Sequence, residues 1–268
     1  MIDFNALIFL HCFGWRTSGG MLRVPGSCFA DRLNEMVVLT DMEYRALEHL
    51  EQRERHLRRG VTLQRENDRV GEMFVLRSGR MMSSVLLDDG SRQILRIHSA
   101  GDLLAVSNLI YDNAPETITA LSDCTVAPFE RAALSALLVA HPRLAALILV
   151  YNQIERAALT DRLAALGRTS AKARVAAILI EMRNRARMLD KSVGDSFVLG
   201  LTQEEIGDAT GLTAVHVNRM LRQLEDEGLI AREAGRVRFR DERALARSSN
   251  FVDRYEKLDL GWLPESRG

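Results

Sequence analysis

Residues 201–224, LTQEEIGDATGLTAVHVNRMLRQL, constrain what this chain can fold into more than any other stretch. Thr202 precedes an apolar-periodic run and has Glu205 three positions on, so hydroxyl and carboxylate can reciprocally satisfy the orphan backbone donors of a helix start. Ile206 and Ala209 supply an inner face, and Gly211 offers the positive φ that ends a helix and turns the chain. Thr213 is placed to cap a second helix. On that helix Val217, Met220, Leu221 and Leu224 fall at i, i+3, i+4 and i+7, the spacing of one buried stripe. The opposite face carries Val215, Asn218, Arg219 and Arg222.

An ordinary pair of packed helices with a solvated face satisfies this spacing too, so the flanking sequence has to decide. Leu229-Ile230-Ala231-Arg232, then Glu233-Ala234-Gly235, then Arg236-Val237-Arg238-Phe239-Arg240 predicts a hairpin with Gly235 at its tip and arginines alternating along the second strand. Upstream, Thr169 or Ser170 can cap a helix reaching Leu189, with Val175, Ile178, Leu179 and Met182 on one stripe, and Phe197-Val198-Leu199 reads as a short strand. Helix, strand, helix-turn-helix and hairpin follow in winged-helix order, which puts the second helix of the pair in a DNA major groove.

The run LTQEEIGDATGLTAVHVNRMLRQLEDEGLI resembles the DNA-binding signature of the Crp/Fnr family of bacterial transcription regulators almost position for position, and the resemblance extends more weakly upstream to Phe29. It implies a homodimer that binds double-stranded DNA at a two-fold symmetric operator, with a sensing β-roll in front, and contact with RNA polymerase if the protein is an activator. Arg219 stands at the family's guanine-reading arginine. Gln203 and Thr213 stand where phosphate contacts set the register, His216 and Asn218 share the polar readout, and Thr202 belongs to the same expected DNA-binding set. The family's usual arginine and glutamate base readers are replaced by Ala214 and Val215, which can meet a thymine methyl but read no donor pattern. Arg222, Arg236 and Arg238 complete the expected DNA-binding set. The winged helix as a contact for another protein, within a ligand- or protein-binding regulatory module, is the alternative.

Residues 61–129 change character to short strands and turns. The Asp89-Gly90 dipeptide between 82–87 and 93–97 is the strongest hairpin signal, and later strands fall near 118–121 and 125–127. Many short strands at regular spacing predict a jelly-roll barrel. The pieces LRSGR and GDLL are similar to the family's cyclic-nucleotide-binding roll. The resemblance places Ala105-Val106-Ser107 where relatives that bind cyclic AMP have a glycine-glutamate-leucine triplet, and Glu116-Thr117 where they have an arginine-serine pair. Val106 cannot accept a ribose hydroxyl, and Glu116 would repel a phosphate. No cofactor is expected. Another ligand, protein contacts and a purely structural roll remain three readings of that domain.

Residues 142–167 contain no internal proline or glycine before Gly167, long enough for a helix of about 40 Å. Leu147, Tyr151, Ile154, Ala158 and Ala165 recur at alternating four and three, the spacing of a two-helix seam, and are expected at the dimer interface. Leu159, Leu163 and Leu166 form a second stripe, so that one stripe packs on the roll and the other meets a partner chain.

The expected fold class is therefore α+β. It comprises an extension (1–28), a jelly-roll β-barrel sensor domain (29–141) opening with a short helix or two before residue 50, and a long dimerisation helix (142–168). A winged helix-turn-helix (169–247) and an apolar tail (248–268), with Phe251, Tyr255, Leu258, Leu260 and Trp262, complete it. The 36 basic and 36 acidic residues cancel, so the positive charge that DNA requires must be local. The run 6–10 lacks a basic flank and a cleavage site, and no stretch approaches a membrane span; a cytoplasmic location is expected. Cys12, Cys28 and Cys124 are too few and scattered for a disulfide framework, metal site or iron-sulfur cluster, and His11 and His98 lack a paired haem-ligand signal. No nucleophile-base pair or phosphate-cradling loop points to an enzyme.

Overall fold

The computed structural model describes residues 26–69 and 71–265; His11, Cys12 and most of the expected extension lie outside the described residues. The chain is α+β, as expected. Two helices open it. Helix α1 (Cys28–Asn34) starts at Ser27, whose hydroxyl accepts from the Ala30 amide, and α2 (Asp41–Leu50) starts at a Thr40–Glu43 capping box.

Eight strands follow: β1 (Arg55–Leu57), β2 (Thr62–Gln64), β3 (Glu72–Ser78), β4 (Arg80–Leu86), β5 (Arg92–Ser99), β6 (Leu103–Leu104), β7 (Thr117–Ala120) and β8 (Cys124–Glu130). They form two four-stranded sheets, ordered β1-β8-β3-β6 and β2-β7-β4-β5. Strand β3 is buried on both faces, and its period of two divides it between two cores. Met73 and Val75 pack with Phe29, Leu47, Phe129 and Leu144, while Phe74 and Leu76 pack with Met81, Leu104, Ile118 and Val126. The predicted Asp89-Gly90 hairpin exists, but its loop is wider than a two-residue turn. Leu87 donates to the Ser91 carbonyl at 2.8 Å, and only Gly90 of the dipeptide has positive φ, because the Asp89 carboxylate is engaged by the Ser91 amide and hydroxyl.

Helix α3 (Arg131–Ala140) was not legible as a separate element; it ends at His141, immediately before Pro142 opens α4 (Pro142–Arg168). The first turns of α4 lie in the roll's own core. Leu147 and Tyr151 are 0% and 1% exposed, and Ile154 is also buried. Tyr151 stacks edge-on to Phe29 at 5.8 Å and donates its hydroxyl to Asp102 at 3.2 Å, a buried carboxylate also engaged by Arg32 at 3.0 Å. Three residues expected at a partner chain are thus committed to this chain's interior. Ala158 and Ala165 are half-buried, and the apolar side chains that α4 exposes are Leu149, Leu159 and Leu163. Spacing identified two stripes; only the buried hydrogen-bond acceptor for Tyr151 decides which faces inward.

By compactness the chain divides into two units. One unit holds the described residues up to Met81, His98–Tyr151 and the end from Leu258; the other holds Met82–Ile97 and Asn152–Lys257. The hairpin tip thus groups with the C-terminal helices. In this second unit, α5 (Ala171–Leu189) starts at Ser170 and buries the predicted Val175, Ile178, Leu179 and Met182. Strand β9 (Ser196–Val198), helices α6 (Gln203–Thr210) and α7 (Ala214–Asp226), strands β10 (Ile230–Glu233) and β11 (Arg236–Phe239), and α8 (Glu242–Ser249) complete it. Helix α8 lies in a region read as the end of one domain and the start of a tail; its signal was Asp241, whose side chain caps it by accepting from the Ala244 amide at 2.8 Å. Among the described residues no single helix is long and apolar enough to cross a membrane.

Candidate nucleic-acid interface

Thr202 and Glu205 form the predicted reciprocal cap: the Glu205 amide donates to the Thr202 hydroxyl at 3.1 Å, and the Thr202 amide donates to the Glu205 carboxylate at 2.7 Å. Gly211, at φ 67°, closes α6. Gly207 has a different reason to be glycine. A Cβ there would stand 2.4 Å from the Leu212 carbonyl oxygen, so the turn can fold back over α6 only because that atom is missing. The Leu212 amide donates to Gly207 O at 3.0 Å, which fixes the angle between the two helices.

Thr213 caps α7 by accepting from the His216 amide. Val217, Met220, Leu221 and Leu224 are buried, as their spacing predicts, and the opposite face is left to solvent. Val215 is 82% exposed, with Arg219 and Arg222 also exposed and Ala214, His216 and Asn218 half-buried. Arg219 donates to His216 Nε2 at 2.8 Å. Thr202, Gln203 and Thr213 are exposed around this face at the two helix starts.

The wing is a three-stranded sheet ordered β10-β11-β9. Val237 and Phe239 point inward, with Phe239 edge-on to Phe197 at 5.4 Å, and Arg236 and Arg238 point outward on the alternate positions. The turn between β10 and β11 uses both Ala234 (φ 48°) and Gly235 (φ 76°) in the left-handed region, the requirement of a two-residue primed turn. Its arginines are not equivalent. Arg236 donates to Ser196 Oγ at 3.0 Å and Ser196 O at 2.9 Å, so it is held along β9. Arg232 is paired with Glu225 at 2.6 Å, and its hydrogen bond holds the Glu225 carboxyl below the usual carboxylate range. Arg238 is exposed and has no side-chain partner within the described residues.

Acidic residues near the head are likewise engaged. Asp208, on α6, pairs with Arg92 at 2.6 Å, and its backbone carbonyl accepts from the Gln93 amide group at 2.7 Å. The arrangement is an exposed helix face with apolar, imidazole, amide and guanidinium groups, beside a ribbon whose Arg238 has no side-chain partner among the described residues. Such a surface suits groove edges and phosphates rather than covalent chemistry.

The residues that build this head match the Crp-like helix-turn-helix domain model over 173–248, and the roll matches the cyclic nucleotide-binding domain model over 54–141. The chain is 30% identical over 220 residues to the transcriptional activator protein FnrA of Stutzerimonas stutzeri, spanning 81% of this chain and 86% of that protein. The chain belongs to the Crp/Fnr family. A further Crp/Fnr-type relative, the transcriptional activator protein anr of Pseudomonas aeruginosa, is 28% identical across 76% of this chain and 83% of its own. The solved structure of FixK2 from Bradyrhizobium japonicum superposes with a TM-score of 0.66 at 26% identity, covering 73% of this chain and 96% of that one. Family membership makes the helix-turn-helix a DNA-binding element of a transcription regulator; the relatives are regulators, not enzymes.

Ala105 adopts a left-handed conformation, and Val106 begins a 3-10 turn (Val106–Leu109) and packs against the core that contains Phe29 and Tyr151. Glu116 is half-buried beside Thr117, whose hydroxyl accepts from the Glu66 amide. Cys28 and Cys124 are buried thiols; burial and the neighbouring Asp123 charge push Cys124 up to about 11. His98 is buried as well. Among the described residues no three His, Cys, Asp or Glu side chains are grouped to hold a metal ion.

Proposed function

We propose that this protein is a homodimeric, sequence-specific transcription regulator of the cytoplasm that reads a two-fold symmetric operator with α7. The observation that carries the reading is the division of α7 into a fully buried stripe and an exposed face centred on Val215 and Arg219. Arg219 is the guanine reader, by a bidentate contact to O6 and N7 worth about 1–3 kcal/mol of discrimination. Val215 and Ala214 meet thymine methyls, and His216 and Asn218 share the polar readout. Thr202, Gln203, Thr213, Arg222, Arg236 and Arg238 contact the backbone and fix register without reading sequence.

Two recognition helices about 34 Å apart require a dimer. Helix α4 supplies the surface for it: Leu149, Leu159 and Leu163 are exposed at ten- and four-residue intervals along one helix. The seam therefore uses this stripe in place of the inward one headed by Leu147 and Tyr151. The names of the relatives FnrA and anr describe activators; the same role here entails contact with RNA polymerase.

The roll does not take cyclic AMP in this reading. Val106 is apolar and packed where a carboxylate would hold the ribose, and the carboxylate of Glu116 stands where a cation would meet the phosphate. The test is selection from randomised duplex DNA by the purified protein without added ligand, with Arg219→Ala in parallel. Enrichment of an inverted repeat that the variant loses supports the reading. Enrichment of the same repeat by both proteins removes Arg219 from base readout, and capture of non-symmetric DNA removes the dimer.

A further inference from the structure

A cavity of about 130 Å³ lies wholly within the second unit, between the later turns of α4, the outer face of α5 and the segment that follows α8. Its wall is made by two helical stripes. Arg174, Ile178, Glu181 and Arg185 come from α5 at spacings of four, three and four; Ala158, Arg162 and Ala165 come from α4 at four and three. Residues after α8 close the remaining side and are pinned at three points. The Tyr255 hydroxyl donates to Glu155 at 2.5 Å, Arg254 grips both Asp161 oxygens at 2.6 Å, and Asn184 donates to Asp253 at 2.8 Å. The tail that had no docking site in the sequence is thus one side of a chamber.

The charges around the chamber do not balance. Five guanidinium groups line it (Arg96, Arg162, Arg174, Arg185 and Arg254) against four carboxylates (Glu155, Asp161, Glu181 and Asp253), leaving one positive charge in excess. Arg96 is matched with Glu155, and Arg254 with Asp161. Glu181 serves both Arg162 at 2.5 Å and Arg185 at 3.1 Å. Among the described residues Arg174 has no carboxylate partner; it donates to the Leu166 carbonyl at 3.0 Å, and its Nε is buried without a hydrogen-bond acceptor. A partly buried cation without its counter-charge is unfavourable, and a bound anion relieves the cost. Ala158, Leu166, Ala177, Ile178 and Phe251 give the wall an apolar stretch. The volume is close to that of a cavity of about 150 Å³ known to take one benzene ring.

We propose that this chamber binds a small organic anion: a carboxylate held by Arg174 and its neighbours, carried on an apolar body about the size of one aromatic ring. Ala209 and Thr210, the last turn of α6, form part of the same wall, so a molecule held there touches the first helix of the DNA-reading pair. The site is separate from the roll.

The test is calorimetric titration of the full-length protein with benzoate and with benzamide, its neutral isostere. Benzoate is expected to bind at least tenfold more tightly than benzamide. Arg174→Met, which keeps the apolar stem, should erase that preference, and Ala177→Leu, which fills the chamber, should abolish binding of both. Circular dichroism and thermal melting confirm that each variant is folded. No benzoate binding to the wild type, equal binding of the two probes, or equal benzoate binding by wild type and both folded variants overturns the proposal. Because the readout is heat from a small molecule, it succeeds or fails independently of operator selection.

Discussion

Arg219 donates to Nε2 of His216 at 2.8 Å, so the residue expected to read a base is held by its neighbour one turn earlier on the same exposed face. Pre-orientation of a long side chain lowers the entropy it must lose on binding. Arg219→Ala should reduce affinity for the selected operator by a factor of about 5–150 per half-site and flatten the preference at one guanine position. His216→Ala should cost only a few-fold and leave that preference in place. Fluorescence anisotropy with the operator and a guanine-substituted duplex separates the two; a larger loss of preference in His216→Ala would make the imidazole the reader.

The wing arginines differ in what they are free to do. Among the described residues Arg238 has no side-chain partner, whereas Arg232 is tied to Glu225. Arg238→Ala should reduce the slope of log K against log salt by about 0.9 per chain, one phosphate contact, equally for operator and random DNA. Arg232→Ala should leave the slope nearly unchanged.

Glycine 207 is predicted to be nearly irreplaceable. With Leu212 O only 2.4 Å from the added carbon, Gly207→Ala must push the turn away from α6, at a cost of about 1–3 kcal/mol or more and with loss of DNA binding. Ala234, at φ 48°, is the opposite case: Ala234→Gly relieves a left-handed alanine and should stabilise the wing by about 0.5–1 kcal/mol. Chemical denaturation of both variants checks the signs.

Acid should weaken the second unit. The hydrogen bond from Arg183 holds the Glu242 carboxyl below its ordinary range, as Arg232 does for Glu225 and Lys172 for Glu227. Burial pushes Glu181 up, but Arg162 and Arg185 more than reverse it. Each group releases its proton more readily folded than unfolded, so its contribution is present at neutral pH and is lost as pH falls from about 5 through the lowered values. Melting of the wild type should drop over that window. Glu242→Gln, which leaves the buried Arg183 without its carboxylate, should cost roughly 1–3 kcal/mol at pH 7 and make the acid slope shallower; Glu242 is 43% exposed, which limits the loss. An unchanged slope would remove Glu242 from the acid response.

The two stripes of α4 make opposite predictions. Leu163→Asp, at a position 72% exposed, should yield a folded monomer by sedimentation velocity. Tyr151→Phe should keep the dimer and lose about 1 kcal/mol of stability through its bond to Asp102. A dimeric Leu163→Asp protein would move the seam elsewhere.

How far the sequence carried the reading depended on the range of the forces involved. Caps, the α7 stripe and the alternating wing are set by residues within about eight positions of one another, and Thr202–Glu205, Val217–Leu224 and Val237–Phe239 were legible for that reason. Pairings that span the chain were not. Nothing local shows that Arg183 waits for Glu242 or that Tyr151 turns inward to Asp102. Helices α3 and α8 were missed because each is short and adjoins a stronger signal, Pro142 in one case and the wing in the other.

Asp208 meets Arg92 and Gln93, residues more than a hundred positions earlier, on a hairpin that belongs to the same compact unit as α6. The reading head is therefore not a contiguous cassette. A fragment begun at Pro142 would carry α6 without the arginine and amide that complete it, and grafting that fragment onto a foreign sensor would leave the Asp208 carboxylate unanswered. Recombination between such genes should favour breakpoints that keep residues 82–97 and the C-terminal half of the same parent.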